Sequence, residues 1–143
     1  MKRLLILAAT LHTLSLHAAE CDYQLNQTAF YNSETKIYSS HAGAPLTGLV
    51  CVGEIMEIPV VEGLTNGIFL SYTPNESGKR LASEIPYKNG VIEGALKYYH
   101  ENGKLKSEVP YVNGIIHGTA RAYYPSGRLE NETPVKNGQR SGI

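Results

Sequence analysis

Apolar and polar residues alternate in short runs along the second half of the chain. Residues 105–111 read LKSEVPY and residues 129–135 read LENETPV, so apolar and small residues share one parity and charged residues fill most of the other. An alternation of period two with one polar side predicts a half-buried antiparallel strand. Residues 95–100 also predict a strand, but their alternation is too irregular to assign its buried side. Gly94 and Gly118 are expected where a strand bends or two backbones approach closely.

These strands belong to an internal repeat of 24 residues. Residues 86–109 align with residues 110–133 without a gap, and ten positions are identical. A partial copy occupies residues 134–143, and an earlier copy occupies residues 59–85 with three additional residues near a turn. Such a period is typical of architectures in which each unit covers the apolar side of its neighbour.

Glycine-containing pairs mark the turns of each copy. Asn89-Gly90 and Asn113-Gly114 predict two-residue turns with positive φ at both central residues. Asn102-Gly103 and Ser126-Gly127 mark a second turn in each copy. We therefore expect each copy to form two strands and two tight turns. Successive hairpins are expected to stack into one elongated antiparallel sheet, which makes the protein all-β.

A family resemblance follows from these recurring residues. The pattern Y-x-N-G-x-x-x-G-x-x-x-x-Y-[YH]-x-[NS]-G-[KR]-L spans residues 87–105 and 111–129, with a looser copy over 61–81. It resembles the MORN-repeat variant of bacterial proteins, many of which are described as antitoxin-like. The resemblance covers residues 59–143. It implies a β-hairpin sheet with a scaffold or partner-binding role, and it carries no catalytic residues onto this chain.

The N-terminus reads as an export signal. Lys2 and Arg3 precede an apolar run over residues 4–9, and small residues follow at 18–19. Residues 1–19 are therefore expected to be a cleaved signal peptide, with an amphipathic helix as the alternative. Glu20 stands where a lipid-attachment cysteine needs a small residue before it, which argues against a lipoprotein. We expect a mature protein in the periplasm or secreted.

Residues 20–58 lack the repeat rhythm and are interpreted as an N-terminal β cap on the first copy, which leaves 59–143 to the repeats. Cys21 and Cys51 are the only cysteines. An even count in an exported protein favours a disulfide between them. Two free thiols or a redox pair are the alternative, and they lack the C-x-x-C spacing.

The charge balance bears on partners. Lysine plus arginine and aspartate plus glutamate each number 13, and a neutral chain is not typical of a general nucleic-acid binder. Residues 20–78 carry one base against seven acids, and residues 79–143 carry ten bases against six acids. This asymmetry predicts either a polarised molecule that steers a charged partner or internal charge complementarity.

Candidate catalytic and metal-binding groups favour structural roles. His41, His100 and His117 are interpreted as solvated turn or strand residues rather than zinc ligands. A glutamate recurs at one position of three copies, and a recurring surface ladder explains it better than an active site that is needed once. Its expected partners are basic cross-strand neighbours, and the set is Glu84, Glu108 and Glu132 with Lys104, Lys106 or Arg128. We predict no metal, no cofactor and no enzymatic activity.

Binding is assigned to a tyrosine-rich sheet face with basic neighbours, since tyrosine and arginine are common at interface hot spots. The residues are Lys97, Tyr98, Tyr99, Arg121, Tyr123 and Tyr124. The alternative reading is core on one side and solubilising charge on the other. The last copy stops just past Gly142, so its strand edge is expected to accept a partner strand or a second copy of the chain. The alternative is a frayed terminal copy.

The sequence therefore predicts an exported, non-enzymatic repeat protein that binds another protein. The resemblance makes an antitoxin or immunity protein, acting on a toxin or effector in the envelope, the most concrete version. The alternative is a structural or membrane-peripheral envelope protein, to which the absence of a basic amphipathic helix gives little support.

Overall fold

The computed structural model describes residues 21–27 and 29–141. The predicted signal peptide over residues 1–19, Glu20 and Gly142 lie outside the described residues. The division into a cap and a repeat region stays a prediction.

The described residues form fifteen β-strands and no helix, which confirms the all-β prediction. In chain order the strands are β1 (Tyr23–Gln24), β2 (Phe30–Asn32), β3 (Ile37–Ser39), β4 (Gly48–Val52), β5 (Met56–Val61), β6 (Leu64–Thr65), β7 (Gly67–Asn75), β8 (Gly78–Lys88), β9 (Val91–Ile92), β10 (Gly94–Tyr99), β11 (Leu105–Val112), β12 (Ile115–Ile116), β13 (Gly118–Tyr123), β14 (Leu129–Lys136) and β15 (Gln139–Arg140).

Thirteen of the strands form one sheet whose order follows the chain. The order is β1-β4-β5-β7-β8-β10-β11-β13-β14-β15, and β6, β9 and β12 lie alongside β5, β8 and β11. Neighbouring strands pair antiparallel, apart from the parallel pair β1–β4. Strands β2 and β3 form a separate two-stranded sheet. The predicted elongated sheet of hairpins is thus confirmed. In the described part of the chain, no helix is long and apolar enough to cross a bilayer.

The asparagine–glycine turns adopt the predicted conformation. Asn89 and Gly90 have φ angles of 49° and 78°, and Asn113 and Gly114 have angles of 50° and 76°. Glutamate replaces asparagine in the first copy, where Glu62 has a φ of 50°. Positive φ at both central residues is what a two-residue turn needs to follow the right-handed twist of the flanking strands.

Each short strand after such a turn is the first part of one bent strand. Ile116 of β12 pairs with Tyr111 of β11, while Arg121 of β13 pairs with Glu108 of β11. The segment from Ile116 to Arg121 advances by five residues, while the paired segment of β11, from Tyr111 to Glu108, advances by three. The bent strand therefore contains two extra residues, which form a bulge. The same spacing occurs beside β8 and β5.

The bend lies at a glycine that packs on a proline. Gly118 has a φ of +121°, and a Cβ built on it would lie 3.1 Å from Cγ of Pro110. Gly94 has a φ of +114° and meets Pro86 in the same way at 3.3 Å. Of the two predicted alternatives, a strand bend is confirmed at both glycines, and the close contact is with the ring of a proline on the neighbouring strand.

The three additional residues of the first copy lengthen its hairpin. Strands β7 and β8 stay paired from Gly67↔Tyr87 to Asn75↔Gly78. The shorter β10–β11 hairpin ends its pairing at Tyr99↔Leu105. The insertion is thus absorbed at the hairpin tip and leaves the spacing between copies at the sheet unchanged.

Successive copies are also held together at their turns. In the two-residue turn that begins each copy's bent strand, the glycine amide donates a hydrogen bond of 2.6–2.9 Å to a carbonyl of the preceding unit. The pairs are Gly63 with Leu46, Gly90 with Thr65, Gly114 with Ile92, and Gly138 with Ile116. The first of these hydrogen bonds joins the repeats to the N-terminal segment.

The buried core lies at the N-terminal end of the sheet. It consists of the side chains of Ala29, Tyr38, Leu46, Val50, Ile58 and Val60. Tyr38 belongs to the β2–β3 hairpin, which therefore packs over the face of β4 and β5. The predicted disulfide joins Cys21 to Cys51 on β4, next to the parallel pairing of β1 with β4.

Candidate functional site

The two faces of the sheet differ in chemistry. On β10, Lys97 lies between Glu84 and Glu108, whereas Tyr98 lies between Ser83 and Ser107. Successive residues of a strand point to opposite faces. We call the face that carries Lys97 the charged face, and the face that carries Tyr98 the groove face.

One row of residues crosses the charged face from strand to strand. From β5 to β14 it reads Glu57, Leu70, Glu84, Lys97, Glu108, Arg121 and Glu132. Arg121 Nε donates to Glu132 Oε1 at 2.6 Å, and Lys97 Nζ lies 3.8 Å from Glu84 Oε2. Cross-strand pairing of the recurring glutamates is therefore confirmed.

Glu84 and Glu132 pair with Lys97 and Arg121, so the predicted partners Lys104, Lys106 and Arg128 are wrong for these two glutamates. Lys104 instead donates to the carbonyl of Ser126 at 2.7 Å, and the Arg128 guanidinium lies 5.1 Å from the centre of the Tyr124 ring. Both bases lie at the hairpin ends, because β11 and β14 begin just after them.

Two tyrosines pack beside the charged row. Burial and the neighbouring Glu57 carboxylate, which accepts a hydrogen bond from the phenol, raise the pKa of Tyr72 to about 12. Burial raises the pKa of Tyr99, and the charge and hydrogen bond of Glu84 add to the rise. The Lys79 ammonium lies 4.0 Å from the centre of the Tyr72 ring and 3.0 Å from Glu57 Oε1. These contacts assign the two tyrosines to holding adjacent copies together.

The six residues predicted to form one binding face do not share a face. Lys97 and Arg121 belong to the row on the charged face. Tyr99 and Tyr123 lie on the same face, because each follows its basic residue by two positions in the strand. Tyr98 lies on the groove face and is 45% exposed. Tyr124 follows β13 in a turn, where its amide donates to the Arg128 carbonyl. Strand alternation separates tyrosines that are neighbours in the sequence, so the six residues do not form one surface, and a binding role for any of them stays a prediction.

A groove opens on the other face, where the β2–β3 hairpin meets the repeats. Its volume is about 550 Å³. One wall is the hairpin with Tyr31, Lys36 and Tyr38. The opposite rim is formed by the turns at Gly90 and Gly114. The floor is mainly apolar and consists of Ile58, Thr65, Phe69, Tyr87 and Ile92. A concave, mostly apolar site with a few polar groups is the usual form of a binding pocket.

Two phenols of the groove, those of Tyr38 and Tyr87, stay protonated at neutral pH. Burial is the largest cause that raises the pKa of Tyr38, followed by the nearby Tyr31, while a hydrogen bond with Thr65 acts in the opposite direction. Burial also raises the pKa of Tyr87, with smaller contributions from Tyr31, Tyr111 and Tyr98. The groove face therefore presents neutral hydroxyl groups that are able to donate hydrogen bonds.

Among the described residues, Lys36 is the only charged one that lines the groove, and its backbone is left-handed. Its φ is 60°, and its amide donates to the carbonyl of Asn32 at 2.8 Å. The Asn32 side chain accepts hydrogen bonds from the amides of Glu34 and Thr35, which shapes the same turn. A left-handed conformation costs a non-glycine residue about 1–2 kcal/mol.

The groove was not predicted from the sequence. Tyr87 and Tyr111 recur at the same repeat position, which was a signal for a second tyrosine-bearing face. No local pattern indicated that the β2–β3 hairpin would fold over β5 and β7. Tyr31 and Tyr38 are separated from Tyr87 by about fifty residues, and only tertiary folding brings them together.

The three histidines lie apart. His41 packs edge-on against Phe30, His100 donates from Nε2 to the Tyr123 carbonyl, and His117 contacts Asn137. Among the described residues, no group of three or more histidine, cysteine, aspartate or glutamate side chains is placed to hold a metal ion. The predictions of no metal and no enzymatic activity remain predictions.

The fold and its period define a β-hairpin repeat protein. Residues 92–113 and 116–137 match the model of the MORN repeat variant. The chain therefore carries two MORN repeats of the variant type, as the sequence pattern predicted. No curated protein and no solved structure matches the chain.

Proposed function

We propose that this MORN repeat protein works outside the cytoplasm as a non-enzymatic protein that binds another protein. The disulfide between Cys21 and Cys51 supports the location, because disulfides persist in oxidising compartments. The groove between the β2–β3 hairpin and the repeats is the observation that carries the binding role. The same face continues past the groove over Tyr98 and Tyr111, so a partner larger than a small molecule has room to extend along it.

An immunity-type inhibitor is the most concrete form of this role. Its mechanism is occlusion: the sheet covers the active surface of a toxin or effector, and no bond is made or broken. Multiple hydrogen bonds within and between the hairpins support such a role, because a preordered surface loses little conformational entropy on binding. The resemblance to the MORN-repeat variant, many proteins of which are described as antitoxin-like, suggests the class of partner.

Affinity purification from an envelope extract of the source organism tests this function. The wild-type protein is expected to form a complex of fixed stoichiometry with one extracytoplasmic protein, measured by light scattering after gel filtration. A groove variant, Tyr87→Ala with Tyr98→Ala, should lose this partner, while the matched charged-face variant Arg121→Ala should retain it. Circular dichroism checks that each variant is folded. Flotation of the wild type with liposomes, without any protein complex, would instead indicate a membrane-peripheral protein.

A further inference from the structure

We propose that the groove binds an extended segment of the partner that carries a carboxylate side chain next to an apolar one. This inference rests on the proposed function and adds the chemistry of the segment that is recognised. Two properties of the described residues carry it: the charge of the groove and its apolar floor.

The polar groups of the groove are complementary to an anion. Its charged lining residue is Lys36, and none of its lining residues is acidic. Lys36 forms no ion pair with any described residue, so its ammonium group is able to pair with an anion in the groove. The phenols of Tyr38 and Tyr87 stay neutral and able to donate hydrogen bonds. A carboxylate accepts hydrogen bonds from both kinds of group.

The backbone of Lys36 adds a second argument. Its φ of 60° is a conformation in which glycine is more stable than lysine. A charged side chain at this position therefore costs folding stability and has no partner among the described residues that compensates for it. The turn between β2 and β3 imposes this conformation, because the Lys36 amide closes it by donating to the Asn32 carbonyl, so a lysine there is less stable than the glycine the turn would favour.

The floor of the groove accounts for the apolar neighbour of the carboxylate. Ile58, Phe69 and Ile92 line it, and the Phe69 and Tyr87 rings meet edge to face with centroids 6.5 Å apart. A volume of about 550 Å³ lies within the usual range for ligand pockets. The groove is large enough for an aromatic or aliphatic side chain beside the carboxylate.

The test uses two peptides that differ in one group. The peptides are Ac-Gly-Phe-Asp-Leu-Gly-NH2 and the same peptide with Asn in place of Asp, titrated into the 15N-labelled protein and followed by amide chemical shifts. The Asp peptide should shift the amides of Lys36, Thr65 and Gly90 and bind about fivefold more tightly than the Asn peptide, as expected for a partly exposed ion pair. Equal affinities, shifts confined to the charged face, or no binding of either peptide would overturn the proposal.

Two variants of Lys36 separate binding from folding. Lys36→Gln should remove the preference for the Asp peptide, and the matched control Lys106→Gln, which also changes an exposed lysine, should keep it. Lys36→Gly should also lose the preference while unfolding at an equal or higher urea concentration. If chitooligosaccharide shifts the groove amides and the peptides do not, the groove binds carbohydrate and the proposal fails. If the partner protein identified by purification binds Lys36→Gln as tightly as the wild type, the proposed function stands and only the assignment of the acidic segment is lost.

Discussion

The packing of Gly118 on Pro110 supplies a quantitative test of how each copy bends. Alanine at position 118 must adopt a φ of +121°, and its Cβ would lie 3.1 Å from Cγ of Pro110. The backbone conformation alone costs about 1–3 kcal/mol, and the crowded contact adds to it. We expect Gly118→Ala to lower the free energy of unfolding by about 2–4 kcal/mol. Gly103→Ala is the matched control, because Gly103 also has positive φ but no atom within 4 Å of its built Cβ.

Urea denaturation followed by circular dichroism measures both variants. Gly103→Ala should cost about 1 kcal/mol, which is the left-handed penalty without a steric contribution. The double variant Gly118→Ala with Pro110→Ala should recover part of the loss, because the proline ring is gone and the two sites are in contact. Equal losses for the two glycine variants, or strict additivity with Pro110→Ala, would refute the account of the bend as a backbone approach to the proline.

Three further predictions concern the disulfide, a buried hydrogen bond and a tyrosine. Cys51→Ala should lower the free energy of unfolding by about 3–4 kcal/mol, because the disulfide between Cys21 and Cys51 closes a loop with a sequence separation of 30. Reduction of the wild type should give a similar loss in urea denaturation, and an unchanged urea midpoint would contradict the disulfide. Ser83→Ala should cost about 1–3 kcal/mol, because it leaves the Ser71 hydroxyl without the partner that now lies 2.7 Å away; the double alanine variant should be more stable than Ser83→Ala, and the opposite order would refute this role. The pKa of Tyr72 is raised to about 12 in the folded protein. The stability contributed by the protonated Tyr72 phenol is therefore complete below pH 10 and is lost between pH 10 and 12. Tyr72→Phe should show a smaller decline of the urea midpoint between pH 9 and pH 11 than the wild type, and identical declines would argue against the contact with Glu57.

The local rules of turns and strands made much of the fold predictable. Asparagine–glycine pairs specify positive φ through the backbone alone, so the turns at 89–90 and 113–114 were located without tertiary information. The 24-residue period likewise located the hairpins and the three-residue extension of the first one. Both features depend on residues that are close together in the chain.

The assignment of side chains to faces failed where extra residues enter a strand. A bulge places Tyr98 opposite Ser107 but Tyr99 opposite Leu105, so the alternation that starts at Leu105 does not carry through to Ser107. Sequence neighbours such as Tyr98 and Tyr99 were assigned to one surface, although a strand turns them to opposite faces. The recurring glutamates were correctly interpreted as a ladder, but their partners depended on the register between strands.

The sequence by itself determined the repeat unit, its turns, the all-β class and the pairing of two cysteines, because each follows from local backbone preferences or from simple counting. Tertiary structure alone decided that the β2–β3 hairpin covers one end of the sheet and that Tyr31, Lys36 and Tyr87 line one groove. The physical reason is that burial of Tyr38 against Val50 and Ile58 is a long-range apolar contact. The hydrophobic periodicity of the sequence does not reveal such a contact, because the residues that line the groove come from segments far apart in the chain.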